Sequence, residues 1–588
     1  MTDSENLQRR LLMALIGALA GLACYVLVDV VEEFLTGHAR FWLTTATAGF
    51  FVPLLALIGP LEPRRAGLAA AVIGVVSSSL VAWAALRYAQ VEDFMAAAHG
   101  LMAYGALVLL PLPFAIAQAD GPGGWRDYAV LFDQAWGLVV RGAAALIFVG
   151  LVWGVVFLSD AVLQIVGLTL IEDLLEIDAV PYVLTGLTLG LSAAVVYELS
   201  AYVSPQLILR LLLLLLPVVL AVTALFIAAL PLRGLGGLFG SLSPAATLMA
   251  MAIAAITLIS TAVERDADRE LGTGAMRAMT QALALLLPVL AGLAAYAVWL
   301  RVDQYGWTPP RLVAWLSALV LTAYAMAYAL EVLRRGDWMA RLRRDNTALA
   351  LVVAGLSALW LTPALDASRL STNSQLARFE AGQSTVDQLP IWMMAEDWGL
   401  AGQDGLTRLE AMTAHPEYDE IAARIAAARS GHSRYSYVDG GGGGAQLAAA
   451  LLRDMPVQPQ GATLDRALLS RVSAEVLRAW SDGCAVGLPD GAPGCVALRL
   501  PGGGPGGSTV WIVLAAIPGG AAAYALPDTP GDAPVWPHNP ADLASGGLLR
   551  ADRAMIAAIQ AGDYRIGPTT GQSLFVGDAE VFPNNSTY

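Results

Sequence analysis

Two sets of residues in this sequence have types and spacings suited to chemistry. Arg141 and Glu198 each lie within a long apolar stretch. An ionisable group inside hydrocarbon is costly, so it either lines a polar pathway or reaches back to the headgroups. Pairing Arg141 with Glu198 would lower the cost of burying each; snorkelling to the headgroups accounts for both equally well. The second set is Cys484 and Cys495, which flank the turn sequence Leu488-Pro489-Asp490-Gly491. In an oxidising compartment two cysteines around a turn pair, which contributes about 2–4 kcal/mol. In a cytosolic domain they would remain two reduced thiols.

The remaining candidates are weaker. Asp439 precedes the run Gly440 to Gly444, which could present backbone amides to an anion or serve as a flexible connector. Glu396-Asp397 and Asp419-Glu420 are adjacent carboxylates, which point to different faces of a helix and so read as solvated surface. Neither His432 nor His538 stands at ligand spacing from the cysteines, so no metal site is expected. No HExxH or GxSxG motif occurs. The chain contains no lysine, and its 34 cationic side chains are all arginine. A P-loop lysine, a Schiff base and a Ser–Lys dyad are therefore excluded. No cofactor is expected, and the sequence favours a role other than catalysis. A net charge of −14 also argues against nucleic-acid binding, which needs a basic patch.

The elements that would position these residues follow from composition. The 588 residues are 57% hydrophobic and only 14% charged, with a mean hydropathy of +0.61, far from a soluble globular chain. A bilayer core about 30 Å thick takes roughly 20 helical residues. Eleven stretches qualify, over residues 11–31, 41–59, 66–86, 101–117, 135–158, 182–203, 207–230, 244–263, 280–300, 310–333 and 347–365. The fourth is interrupted by Pro111 and Pro113, which predicts a kink. The first follows Arg9-Arg10 and reads as a retained transmembrane helix, because no small-x-small cleavage site precedes a polar region.

Arginine placement sets the orientation. With the N-terminus cytoplasmic, the inner flanks collect Arg9-Arg10, Arg64-Arg65, Arg334-Arg335, Arg341 and Arg343-Arg344, among others. The outer flanks hold only Arg40, Arg87, Arg233, Arg301 and Arg311. Cytoplasmic loops carry the arginine excess, so an odd number of crossings and an external C-terminus are expected. Residues 159–181 carry apolar positions at helical spacing followed by acids. They form either an interfacial helix or a continuation of the fifth span. Two hairpins also look alike: Leu214-Leu215-Leu216-Pro217-Val218 leads to Ser243-Pro244 and Glu264-Arg265, and Leu285-Leu286-Leu287-Pro288-Val289 leads to Thr308-Pro309 and Glu331. They are either a parallel internal repeat or a chance likeness of leucine-rich helices.

Beyond residue 365 the charges scatter and no stretch is long enough to span. The division expected is a transmembrane bundle over 1–365 and an extramembrane α+β domain over 366–588, with a helical neck at its start. Helices are predicted near 376–380, 406–413, 418–428, 446–453, 464–480 and 551–561, and strands near 495–500, 509–517, 522–526 and 574–576.

The segment from Arg301 through Tyr305, Gly306 and Thr308 to Arg311 reads as a tight external turn with Tyr305 and Trp307 at headgroup depth. With Ser374-Gln375-Leu376-Ala377-Arg378-Phe379-Glu380 after the last span, it resembles the bacterial membrane family catalogued as domain of unknown function 4153, over roughly residues 180–385. The resemblance implies an integral bacterial membrane protein and transfers no catalytic residue; the expected location is the inner membrane. The expected partners are membrane lipid and an envelope protein. The leading expectation is a role in interaction, sensing or envelope maintenance through a periplasmic domain. The alternatives are a transporter or lipid-handling protein using the bundle, and a membrane-tethered periplasmic enzyme.

Overall fold

The computed structural model describes residues 3–581 apart from 32–33, 36, 120–122, 199–204, 240–242, 264–273, 335, 430–442, 470–471, 473, 490, 502–507, 518–519, 529–535, 539–540, 543–550, 569–571 and 577–578. Two compact units divide between Leu409 and Glu410.

The first unit is helical. Its helices are α1 (Asp3–Tyr25, prolonged by a π-turn over Val26–Val30), α2 (His38–Leu57), α3 (Pro63–Ala85), α4 (Val91–Ala96), α5 (His99–Leu109), α6 (Pro111–Ala119), α7 (Tyr128–Ile165), α8 (Leu170–Leu175) and α9 (Ala179–Glu198). There follow α10 (Pro205–Leu213), α11 (Leu216–Phe239), α12 (Pro244–Ala262), α13 (Gly274–Tyr305), α14 (Pro309–Leu333), α15 (Trp338–Trp360), α16 (Ala367–Glu380), α17 (Ile391–Glu396) and α18 (Gly399–Glu410). Among the described residues ten helical spans are long and apolar enough to cross a membrane. An eleventh, α15, qualifies only together with the helix beyond it, which bends away by 83°. The reason lies in its first turns, where Arg341, Arg343, Arg344 and Asp345 dilute the apolar run. The chain is thus a multi-span helical protein.

The prolines act according to position. Pro111 and Pro113 separate α5 from α6 within the span His99–Ala119. Leu214 and Leu215 form the break between α10 and α11, so Pro217 falls in a first turn, where it clashes with nothing. Pro288 instead lies inside the continuous α13. The two look-alike hairpins therefore differ at their prolines, although both return helices, α12 and α14, start on a proline in the first turn. Glu264 and Arg265 of the first hairpin lie outside the described residues. Residues 159–181 are divided: α7 continues to Ile165, Gly167 turns the chain at φ +78°, and the short α8 follows.

The tightest packing joins α1 to α9. Gly17 and Gly21, one turn apart, face Gly186 and Gly190, also one turn apart. A Cβ on Gly17 would stand 2.0 Å from the Gly186 carbonyl oxygen, and one on Gly190 would stand 2.0 Å from that of Met13. Only backbone fits there, and small residues at one-turn spacing are how apolar helices gain dispersion contact without a hydrophobic driving force. Gly49 of α2 and Gly74 of α3 approach in the same way, with a Cβ on Gly74 meeting the Gly49 carbonyl carbon at 2.9 Å.

The expected boundary at 365/366 marks where the apolar spans end, but the compact unit extends further. Residues 366–409 pack on the helical unit because α16 and α18 find polar and steric partners there. The Leu400 amide donates to the Arg87 carbonyl at 2.8 Å, and Trp398 is buried.

The second unit carries α19 (Tyr418–Arg429), α20 (Gly443–Asp454), β1 (Val457–Gln458), α21 (Arg466–Leu469), α22 (Ala474–Ala485), β2 (Cys495–Leu500), β3 (Val510–Ile517), β4 (Gly520–Pro527) and β5 (Trp536–His538). Beyond them come β6 (Ala541–Asp542), α23 (Arg553–Ala561), β7 (Arg565–Pro568), β8 (Gln572–Val576) and β9 (Ala579–Val581). One sheet runs β1-β2-β3-β4-β5, antiparallel except for the parallel β1–β2 pair, and a second runs β6-β9-β8-β7. Alternation along the strands sorts side chains to two cores. Val496, Leu498, Ile512 and Leu514 meet Ile556 and Ile559 of α23 on one face, and Ala497, Trp511 and Val513 meet Leu451, Leu477 and Trp480 on the other. The unit is the expected α+β type.

The glycine contact gives a direct test. Gly186→Val should lower the thermal midpoint of the intact protein by the equivalent of about 3 kcal/mol, whereas Gly142→Val, at a position with nothing within 4 Å of a new Cβ, should leave it unchanged. Equal midpoints for the two variants would show that α1 and α9 do not touch.

Candidate functional site

The two ionisable residues singled out in the spans do not pair with each other. Glu198, at the last residue of α9, takes Arg10 of α1 as its partner: Arg10 Nε donates at 2.9 Å and Nη2 at 2.5 Å to Oε2. The antiparallel α1–α9 contact sets this choice, since it brings the start of α1 to the end of α9. Arg141, in α7, instead donates from Nε to the Gly137 carbonyl at 3.0 Å and lies over the Tyr197 ring at 5.6 Å. Its Nη2 is buried and has no hydrogen-bond partner. Snorkelling describes Glu198 poorly, because its side chain is only 11% exposed.

The turn between α13 and α14 is gripped from a distant segment. Gly306 turns at φ +72°, a conformation that a side chain disfavours, and a Cβ there would stand 2.7 Å from Gln375 Nε2. Gln375 of α16 donates from Nε2 to the carbonyls of Tyr305 and Trp307, at 2.9 Å each. Arg378, one turn on, donates to the Gln304 carbonyl at 3.1 Å, and Ser374 Oγ accepts from the Trp307 amide at 3.5 Å. From the other side Arg311 Nη1 donates to the Gly306 carbonyl at 2.7 Å. The guanidiniums of Arg301 and Arg311 both lie over the Tyr305 ring, at 5.9 and 5.4 Å. Thr308 is the N-cap residue of α14 without a side-chain capping bond. Trp299, Trp307 and Trp315 form a ring cluster with centroids 5.8–6.4 Å apart. The two segments, 301–311 and 374–380, are thus one physical object, a turn and its clasp.

A second polar seam runs between α3, α5, α15 and α16. Arg87 Nη2 donates to the Leu361 carbonyl at 2.7 Å, the Tyr88 hydroxyl lies 3.3 Å from Ser368 Oγ, and Trp360 Nε1 donates to His99 Nδ1 at 3.2 Å. They line a cavity of about 10 Å³, the size of a single water. Burial holds the Arg87 guanidinium below its usual pKa and pushes the Tyr88 phenol up.

A third network was not anticipated from sequence. Asn346 of α15 donates to the Tyr128 hydroxyl of α7 at 3.0 Å and accepts from the Tyr328 hydroxyl of α14 at 2.5 Å, and Ser260 of α12 lies 2.8 Å from Tyr328. Close by in sequence, Glu331 is held by Arg334 at 2.7 Å and by Arg341. Four helices are cross-linked where each alone would bury an unpaired polar group. The sequence signal is thin: one asparagine directly after Asp345, just ahead of the last apolar stretch.

In the second unit Cys484 and Cys495 form a disulfide, with Cα atoms 4.6 Å apart. It ties the end of α22 to the start of β2. Asp439, Gly440, Gly441, Gly442 and His432 lie outside the described residues, and Gly443 begins α20. Among the described residues no group of three or more His, Cys, Asp or Glu is arranged to hold a metal ion. No family model matches the chain, and neither a curated protein nor a solved structure matches it.

The clasp generates a specific expectation. Gln375→Leu keeps the side-chain volume but withdraws both donors, leaving the half-buried Trp307 carbonyl without its donor, at a cost of about 1–3 kcal/mol. The thermal midpoint should fall accordingly and the tryptophan emission of the Trp299–Trp307–Trp315 cluster should shift to the red. Unchanged emission and midpoint would mean that α16 does not hold the turn.

Proposed function

We propose that this chain is a bacterial inner-membrane protein of the type catalogued as domain of unknown function 4153, in which the helical unit anchors a periplasmic α+β unit that serves in interaction, sensing or envelope maintenance. The observation that carries this reading is the Cys484–Cys495 disulfide in the unit beyond the spans, since disulfides persist in oxidising compartments and are rare in the cytosol. The arginine distribution supports the same orientation, with the N-terminus cytoplasmic and an odd number of crossings. The clasp between residues 304–311 and 374–378 gives the residues on which the family reading rests a common physical task in this chain.

An anchor role also agrees with how the polar groups of the spans are used. Glu198 is engaged by Arg10, Glu331 by two arginines and Asn346 by two tyrosines, and these contacts tie helices together. A lipid-handling reading draws on a different observation, two apolar surface grooves. One, of about 250 Å³, is lined by Leu110, Pro111, Phe114, Trp125, Leu351 and Ala354. The other, of about 470 Å³, is flanked by Trp42 and Trp83. Tryptophan at the mouth of an apolar groove suits the membrane–water boundary.

Two C-terminal fusions test the proposal. Alkaline phosphatase, active only outside the cytoplasm, should be active when fused after residue 588, and green fluorescent protein at the same point should be dark. Thiol labelling of intact cells should find Cys484 and Cys495 unreactive until reduced. A fluorescent, phosphatase-negative tail with both thiols free would overturn the periplasmic assignment.

A further inference from the structure

Two guanidiniums share one aromatic ring at the turn between α13 and α14. Arg301, one turn before the end of α13, lies over Tyr305 at 5.9 Å, and Arg311, in the first turn of α14, lies over it at 5.4 Å. Arg311 is fixed by the Tyr305 and Gly306 carbonyls, which accept from Nη1 at 3.2 and 2.7 Å. Arg301 is exposed, and among the described residues it makes no hydrogen bond and no ion pair. Asp303, the one carboxylate between them in the chain, is exposed and pairs with neither. At neutral pH the charge acting on Arg311 is the like charge of Arg301. Two like charges about one ring repel, and an anion that bridges them removes that cost. A phosphate does so with paired oxygens that match the guanidinium fork.

We propose that Arg301 and Arg311 bridge one phosphate group, that of an anionic phospholipid whose glycerol end rests against Trp299. Both α13 and α14 are long and apolar enough to span, so the turn joining them stands at a membrane boundary whichever way the chain is inserted. Trp299 and Trp315, with ring centroids 5.8 Å apart, lie on the span side of the two arginines, and Trp299 is exposed. Tryptophan collects where headgroups give way to hydrocarbon, which sets the arginines at phosphate level. Basic sites between helices at that depth select anionic headgroups by charge and by hydrogen bonding. Tyr305 keeps both cations near one another through its ring, and the carbonyls that hold Arg311 order it before any lipid arrives. The site rests on the membrane-spanning reading and not on the periplasmic assignment, which the two fusions test by themselves. Soluble phosphate offers the same oxygens without the chains, so the chains decide between the two sources.

The experiment uses the full-length protein in neutral detergent, titrated in separate arms with phosphatidylglycerol, with phosphatidylcholine of the same chains, and with inorganic phosphate, and reads the thermal midpoint. Phosphatidylglycerol should raise the midpoint and phosphatidylcholine should not. Arg301→Gln and Arg311→Gln should each weaken the response roughly fivefold. Arg64→Gln, which removes an exposed cation at the start of the span Pro63–Ala85, should leave it intact. Arg311→Gln also gives up two carbonyl contacts; if it does not fold, the exposed Arg301→Gln carries the test. A response to inorganic phosphate equal to that for phosphatidylglycerol, and lost in the same variants, supports the anion site and assigns it to soluble phosphate. Equal responses to both lipids, a phosphatidylglycerol response that survives Arg301→Gln, or an equal weakening by Arg64→Gln would overturn the site.

Discussion

Hydrocarbon offers no hydrogen bonds, and that constraint organises the helical unit. A carboxylate, an amide or a phenol within a span must find its partner on another helix or leave a group unsatisfied at several kcal/mol. Glu198 reaches Arg10 across a sequence separation of 188 residues, and Asn346 reaches Tyr128 across 218. These contacts fix which helices are neighbours, and in doing so they fix the order of the bundle. Along the apolar stretches of the helices glycine adds a second device: the α1–α9 and α2–α3 contacts bring backbone against backbone at distances that exclude a Cβ.

The second unit solves a different problem. Among its described residues no helix is long and apolar enough to cross a membrane, and a sheet covered on both faces supplies two cores from one set of strands by burial of apolar area. The disulfide closes the route from α22 into the sheet. Gln560 of α23 reinforces the same point by donating to the Pro493 and Cys495 carbonyls at 2.8 Å each, next to the cystine. A clasp made of one glutamine recurs in the helical unit, where Gln375 bridges two carbonyls of the turn at Gly306. In both cases a primary amide, with two donors on one nitrogen, bridges two carbonyls two residues apart in the chain.

Much of the local structure was legible. Hydropathy located most of the spans, because a helix that crosses hydrocarbon must be apolar along nearly its whole length, but it cut short the long helices Tyr128–Ile165 and Gly274–Tyr305, and its last stretch, 347–365, falls on Trp338–Trp360, which does not qualify by itself. Strand 495–500 and helix 418–428 were legible from alternation and from helical spacing. The pair of cysteines announced its own bond. The partner of Glu198 was not legible: the sequence offered Arg141 or the headgroups, and only the antiparallel seating of α1 on α9 brings Arg10 to it. The motifs Gly17-x-x-x-Gly21 and Gly186-x-x-x-Gly190 did signal that seating, and one-turn glycine spacing in an apolar span is the signal that could have found it.

The sequence by itself determined that the chain is a multi-span helical protein followed by an α+β unit, because hydropathy and periodicity are properties of each segment alone. Tertiary structure decided which segments touch: Arg10 with Glu198, Asn346 with Tyr128 and Tyr328, and Gln375 with the turn at Gly306. It also carried the helical unit past the last span to Leu409. Such contacts depend on the relative placement of helices, and any apolar face can be buried against several others. A single buried amide or a missing Cβ cannot, and that is why these few residues, sparse in the sequence, select the arrangement.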